Sequence, residues 1–263
     1  MLIDSYAYTN RMYFVHPVLK LTFSLITMFM SFFFNVYTNL AVIFLMFLIV
    51  VFKAGIPIKM YVKFMLLPFS FLILSLLTIM INPLNNNLTT VFAFDLFGMK
   101  MGITYSGMVT ALKLFFRALA VVSCLYFLIF TTPVIDIINI LSKLKVPSLF
   151  LELLQLVYRF IFVLLKEAEE IYISQEVRLG YKGIKNSFKS LGILTYSLFL
   201  KSYKYFQDLY IALESRLYTG DIKIVSKEYR ISLSDIFFFA GIAVILVILS
   251  ILTRRWLLIW KLF

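Results

Sequence analysis

A chain of 263 residues that is 62% hydrophobic and 18% aromatic, with a mean hydropathy of +0.97, carries more apolar surface than one soluble core of that size can hide. Its formal charge of +12 would point to nucleic acid in a soluble protein, but no nucleic-acid module is present, and Lys and Arg collect in the cytoplasmic loops of membrane proteins. A single cysteine, Cys124, and a single histidine, His16, exclude an intrachain disulfide framework and a Cys/His metal cage.

The expected fold is all-α, a polytopic membrane helical bundle of about five spans, with two long cytoplasmic or interfacial helices. Residues 1–130 read as an N-terminal bundle of four spans, 131–232 as a cytoplasmic module, and 233–263 as a last span with its tail. The opening MLIDSYAYTNRMYFVHP lacks the basic-then-apolar order of a cleavable signal and reads as a retained cytoplasmic segment. Pro17 suits the first turn of a helix, and the apolar run from Lys20 to Phe52 is too long for one ordinary span. The uncharged stretch from Asn35 to Asn39 therefore reads as a tight turn within a hairpin of two short spans.

Lys53, Lys59 and Lys63 mark a cytoplasmic loop, after which a third span runs from Tyr61 to Ile81 through Pro68, expected to kink it. From Asn82 to Gly107 the chain is rich in Asn, Thr and Gly, with Asp95 and Lys100 its only charges, and is expected to face outward. The fourth span, from about Thr104 to Phe130, carries Lys113 and Arg117 one helical turn apart, a candidate intramembrane polar site.

Between Thr131 and Ser232 fall fourteen of the 25 basic residues and ten of the 13 acidic ones, which marks a wet segment. Pro133 and Pro147 each suit a helix start, and Val146 to Leu165 is apolar enough to lie in or across the membrane, which would make a sixth span. The helix is expected to continue through Glu167, Glu169 and Glu170, a solvated face, and to end at Gly180 as its C-terminal cap. A second long helix is expected from about Ile184 to Tyr218, ending just before Gly220. The last span, Ile236 to Leu252, precedes Arg254, Arg255 and Lys261, with Trp256 and Trp260 suited to an interface.

The two long helices close alike, on SQEVRLGYKG and ALESRLYTG, sharing Glu-x-Arg-Leu followed by an aromatic and a glycine. An arginine in a last helical turn is favoured by the helix dipole alone, but its duplication 38 residues on points to two equivalent handles for a partner's carboxylates. These features resemble the transmembrane T component of energy-coupling factor (ECF) transporters, whose two coupling helices end in small-Arg-small triplets. Here the matching triplets are Val177-Arg178-Leu179 and Ser215-Arg216-Leu217, with leucine in place of the second small residue both times. IDSYAYTNR with HPVLKL, and TTPVIDIINILSKLKVP with YRF, are similar to CbiQ, the T component associated with cobalt uptake.

The resemblance implies a non-catalytic subunit of an ATP-driven importer in a prokaryotic cell membrane, most simply for cobalt or nickel. Its implied partners are two ATP-binding-cassette ATPases docked on Val177, Arg178, Leu179, Ser215, Arg216 and Leu217, and a substrate-binding membrane subunit, CbiM/CbiN-like or another S component. No catalytic residue, cofactor or metal-ligand set is expected in this chain, which has no Walker lysine loop or GxGxxG fingerprint. The alternatives are a vitamin-type T component and a self-contained secondary transporter, which would need broken, repeated spans at the membrane midplane. An apolar face with Met28, Phe29, Phe32 and Phe33 would slide on a partner or simply meet lipid. His16 beside Asp4 reads as structural, and Cys124 lies too far from it in sequence to suggest a nucleophile and base.

Overall fold

The computed structural model describes residues 2–83, 90–96, 99–144, 146–218, 229 and 232–260, with side chains described over 4–80, 107–144, 146–218, 229 and 232–253. Thr219, Gly220, Lys261 and the side chains of Asp95, Lys100, Arg254, Arg255, Trp256 and Trp260 therefore lie outside the described part. In chain order the helices are α1 (Leu2–Thr9), α2 (Pro17–Phe33), α3 (Val36–Leu48), which runs into a π-helical turn at Ile49–Lys53, and α4 (Ile58–Met80). Strands β1 (Ile81–Pro83), β2 (Thr90–Leu96) and β3 (Met99–Thr104) follow, then α5 (Tyr105–Thr131), α6 (Val134–Lys143), α7 (Ser148–Val177), α8 (Ile184–Ser215) and α9 (Leu233–Trp260). Two compact units result, Leu2–Pro133 with Glu228–Phe263, and Val134–Lys227.

In the first unit α5 is the hub, packed by α1, α2, α3 and α4. The buried stripe of α2 is Lys20, Phe23, Ser24, Thr27 and Ser31, at helical spacing, while Ile26, Phe29, Phe32 and Phe33 are exposed. This reverses the pattern of a soluble protein. Where the surroundings are apolar, burying leucine gains little, and small polar residues win the interface because they let backbones approach and can bond across. Ser24 Oγ donates to the Cys124 carbonyl of α5 at 2.8 Å, and Thr27 Oγ1 lies 3.5 Å from Cys124 Sγ. Beside this seam Phe23, Phe127 and Phe239 pack with ring centroids 4.9 to 6.3 Å apart, joining α2, α5 and α9.

The N-terminal segment is part of the bundle. Arg11 N–H donates to the Ala54 carbonyl at 3.0 Å, and Asn10 Nδ2 donates to Phe130 O at 3.2 Å. Lys20, 1% exposed, donates from Nζ to Thr131 O at 2.8 Å. The last turn of α5, whose carbonyls lack helical donors, is thus capped by side chains from the chain's first twenty residues. His16, read as structural, is the cap of α2, its Nδ1 accepting from Val18 N–H at 3.2 Å, with Pro17 at the first helical position as expected.

Pro68 sits inside a continuous α4. Its missing N–H orphans the carbonyl four residues earlier, that of Phe64. Tyr126 of α5 supplies the donor, its hydroxyl 3.0 Å from Phe64 O. Tyr126→Phe is expected to cost about 1 kcal/mol, one unsatisfied interior carbonyl. In a Pro68→Ala background, which restores the helical donor, the same change is expected to be nearly silent. Thermal midpoints of the two single variants and the double in detergent check this, and strict additivity would count against it.

One reading of this unit is corrected. The turn between the first two spans is confined to Phe34 and Asn35, because α3 already begins at Val36 and buries Thr38 and Asn39; Asn35 has the extended backbone of an N-cap (φ −74°, ψ 167°). The stretch after Asn82, expected only to face outward, includes strands. Rich in β-branched and aromatic residues, its described part forms an antiparallel sheet of order β1-β3-β2, with Asp95 opposite Lys100 and Leu96 opposite Met99.

Five helices are long and apolar enough to cross a membrane, at Val36–Lys53, Ile58–Met80, Gly107–Thr131, Ser148–Val177 and Leu233–Thr253, with α2 a shorter apolar helix of 17 residues. The protein is a polytopic helical membrane bundle. In the second unit α6 packs on α7, and α7 and α8 form an antiparallel hairpin.

Candidate functional site

The hairpin is tied at both ends and in the middle. Near the turn Gln175 Nε2 donates to Ser190 O at 3.1 Å; at mid-length Glu167 of α7 accepts from Lys201 and from the Tyr205 hydroxyl of α8; at the far end the Tyr218 hydroxyl donates to Glu152. Glu167 is therefore not a merely solvated acid, since each of its carboxylate oxygens accepts a hydrogen bond from α8. Its carboxylate, as a hydrogen-bond acceptor, holds the Lys201 ammonium and the Tyr205 hydroxyl above their ordinary pKa values. A raised lysine keeps this tie fully made below its unfolded pKa and loses it only as pH climbs through the raised one, so it persists at neutral pH.

Both hairpin helices end in the same backbone motif. After α7, Arg178 is the C-cap (φ −86°, ψ 14°), Leu179 N–H donates to Glu176 O at 2.9 Å, and Gly180 N–H donates to Gln175 O at 2.8 Å. After α8, Arg216 is the C-cap (φ −96°, ψ 10°), Leu217 N–H donates to Glu214 O at 3.0 Å, and Tyr218 N–H donates to Leu213 O at 3.1 Å. Each pair of bonds, six-to-one and five-to-two, is a Schellman motif, which requires a left-handed residue just past the cap. That residue is Leu179 (φ 59°) in the first and Leu217 (φ 55°) in the second.

This corrects two expected boundaries. α7 ends at Val177 with Leu179, not Gly180, in the left-handed position, and α8 ends at Ser215 rather than Tyr218. The left-handed conformation costs a residue with a Cβ about 1–2 kcal/mol, a cost glycine would not carry. Gly180 answers a different need. A Cβ there would lie 2.7 Å from Ser190 Oγ and 2.8 Å from the Gln175 carbonyl oxygen, so the close approach of α8 to the end of α7 demands glycine. Ser190 Oγ donates to Gly180 O at 2.7 Å, Tyr181 OH to Gln175 Oε1 at 2.8 Å, and the Tyr172 and Tyr181 rings lie 4.6 Å apart, which holds the elbow in one shape.

Arg178, Ser215 and Arg216 are exposed, and so are Val177 (79%), Leu179 (65%) and Leu217 (84%). Because α7 and α8 run antiparallel, their C-terminal ends lie at opposite ends of the hairpin, separated by about the length of α8, roughly 48 Å at 1.5 Å per residue for its 32 residues. The structure thus places two alike cationic ends far apart on one hairpin. Such an arrangement can grip two carboxylate-bearing surfaces at once but cannot bring both arginines to one ligand.

The other candidate residues separate. Lys113 is exposed, whereas Arg117 is half-buried and lines a cavity of about 450 Å³ with Phe32, Leu72, Ser75, Ile79 and Leu114. Arg117 Nε is buried and finds no hydrogen-bond partner among the described residues. Cys124 is buried, and no group of three or more His, Cys, Asp or Glu able to hold a metal ion occurs among the described residues. Met28 packs on the core while Phe29, Phe32 and Phe33 face outward.

A set of apolar helices long enough to span a bilayer, with a hairpin carrying two exposed arginine ends, defines a class of multi-pass membrane protein. The family model for CbiQ, the cobalt transport protein, matches residues 12–227, and the chain belongs to that family. It is 34% identical over 254 residues to an uncharacterised protein of Methanocaldococcus jannaschii, covering 96% of this chain and 94% of that one. It is 31% identical over 162 residues to the cobalt transport protein CbiQ of Salmonella typhimurium, covering 62% and 72%. A putative fused cobalt transport protein CbiMQ of Methanocorpusculum labreanum is 33% identical over 144 residues, covering 54% of this chain and 24% of that one. The protein is a multi-pass membrane component of the cobalt transport family, in a prokaryotic cell membrane.

Proposed function

We propose that this chain is the coupling subunit of an ECF-type importer for cobalt, passing the motion of two ATP-binding-cassette ATPases to a separate substrate-binding membrane subunit. The observation that carries the reading is the duplicated helix end. The same arginine, the same bond pattern and the same left-handed leucine recur at opposite ends of the α7–α8 hairpin. Two identical or homologous motors each present one groove, and a rod with one cationic end for each converts their approach or separation into movement of the hairpin. The ties at Glu152, Glu167 and Gln175 support this role, because a hairpin that flexed would absorb the stroke instead of transmitting it.

The name of the fused CbiMQ relative supports a CbiM-like protein as the membrane partner, since a fusion keeps two cooperating chains at high effective concentration. The exposed aromatic face of α2, with Phe29, Phe32 and Phe33, is a candidate surface for it.

The test is accessibility. With Cys124 replaced by Ala, single cysteines at Arg178 and Arg216 are expected to react with a membrane-impermeant maleimide in inside-out vesicles and not in intact cells. Co-expressed ATPases of the same host are expected to protect both. Reaction of either cysteine in intact cells would place a handle on the wrong side and end the proposal.

A further inference from the structure

We propose that the cavity beside Arg117 seats an anionic phospholipid, its phosphate held by Arg117 and Lys113 and an acyl chain lying in the apolar cleft between α2, α4 and α5. No acid in the surrounding helices balances these cations. Asp95 is the only acid between Asp4 and Asp136, and the strand register sets it opposite Lys100. Helices α2 to α5 thus hold no carboxylate, and Arg117 Nε is buried with no hydrogen-bond partner among the described residues. A guanidinium left so in hydrocarbon is costly, and an anion from outside the chain removes the cost.

The level of the cavity selects a lipid headgroup as that anion. α5 has 27 residues, about 40 Å at 1.5 Å per residue and so roughly 10 Å longer than a hydrocarbon core. α2 has 17 and covers only about 26 Å. Lys20 bonds to the Thr131 carbonyl and Ser24 to the Cys124 carbonyl, so the helices run antiparallel and the last turn of α2 comes level with Arg117. Phe32 of that turn lines the cavity of about 450 Å³ with Leu72, Ser75 and Leu114, and the polar Asn35 follows at once. Arg117 stands about 21 Å along the axis from Thr131, which leaves roughly 9 Å to the far edge of a 30 Å core. Its side chain leans toward the start of α5 and covers most of that distance, and Lys113 is one turn nearer the edge. A short hairpin beside longer helices also draws the bilayer surface inward. Phe32 and Leu114 are exposed, so the cleft opens sideways to lipid, and a cleft of this volume admits an acyl chain but not a helix about 10 Å across.

The experiment uses the full-length protein in nanodiscs of phosphatidylcholine with and without phosphatidylglycerol, read by native mass spectrometry of retained lipid and by thermal midpoint. Wild type is expected to retain phosphatidylglycerol in preference to phosphatidylcholine, and Arg117→Gln to lose about tenfold of that preference. Arg117→Lys, which keeps the charge, is expected to stay within a few-fold of wild type. Ser75→Phe, which fills the cleft, is expected to lose the preference with both cations in place. In pure phosphatidylcholine Arg117→Gln is expected to match or exceed the wild-type midpoint, since it removes a charge without a counter-ion. Equal preference in wild type, Arg117→Gln and Ser75→Phe overturns the inference. An equal loss on Lys59→Gln, near the opposite end of α4, overturns it by reducing the effect to a general attraction between a basic protein and anionic lipid. A lowered midpoint of Arg117→Gln in phosphatidylcholine makes the arginine structural, and displacement of the lipid by excess inorganic phosphate makes the site one for a soluble anion. Unchanged lipid retention by Arg117→Gln with loss of a co-expressed membrane subunit of the same host assigns the arginine to a partner's carboxylate instead.

Discussion

Replacing Arg178 and Arg216 together with glutamate is expected to leave the protein folded in the membrane and to abolish its co-purification with the ATPases. Both guanidinium groups are exposed at helix C-caps, so the folded state loses only the favourable interaction of a cation with the helix end, about 0.3–1 kcal/mol each. At a docked interface the same change replaces a charge-assisted pair by two facing carboxylates. Breaking a close interfacial charge pair costs about 2–5 kcal/mol, so two of them exceed a hundredfold loss of affinity. Each single variant retains one handle and is expected to fall between wild type and double. The check is quantitative pull-down of the ATPases together with cobalt uptake in cells. A double variant that still assembles and takes up cobalt at the wild-type rate shows that the arginine ends are not the handles.

Phe127→Ala is the substitution expected to cost most in stability. Phe127 is fully buried where α2, α5 and α9 meet, its ring 5.7 Å from that of Phe23 and 6.3 Å from that of Phe239. In a soluble protein the loss would combine a transfer term and a cavity term. Here the alternative environment is lipid, as apolar as the core, so the transfer term largely drops out and the void remains. A void on the order of 100 Å³ at about 24 cal/mol per Å³ costs about 2.4 kcal/mol. For a chain of this size that is a fall in thermal midpoint of about 5–10 °C in detergent. Phe29→Ala, which removes an outward-facing ring of the same size, is expected to move the midpoint little. Equal shifts for the two would mean that the aromatic junction does not hold the helices together.

How far these features were legible in the amino acids depends on the kind of physics behind each. The spans and the two long helices follow from run length and composition, because a backbone in lipid must satisfy its own hydrogen bonds whatever surrounds it. The duplicated Glu-x-Arg-Leu was legible for the same reason that a helix end is local: cap, dipole and exposure are set within one turn. Its left-handed leucines are harder to read, although a signal exists. A leucine standing where the related triplets carry a small residue marks a position where the backbone wants none, and only the φ angles of 59° and 55° show that the chain keeps the conformation and tolerates the side chain.

Other features had no local signal. Nothing near Pro68 says that the carbonyl of Phe64 will be met by Tyr126, 62 residues later, and nothing near Lys20 says that it will cap α5 at Thr131. Glu167 looks like any surface acid until α8 lays Lys201 and Tyr205 against it. The amino acids by themselves determined that this chain lives in a bilayer, which segments are helical, and that two of those helices carry arginine tips, all consequences of local propensity and of the lipid's refusal of unpaired polar groups. Tertiary structure alone decided that the tips lie at opposite ends of a braced rod. Which way two helices run past each other is set by side chains dozens of residues apart, where no short stretch of sequence holds both partners.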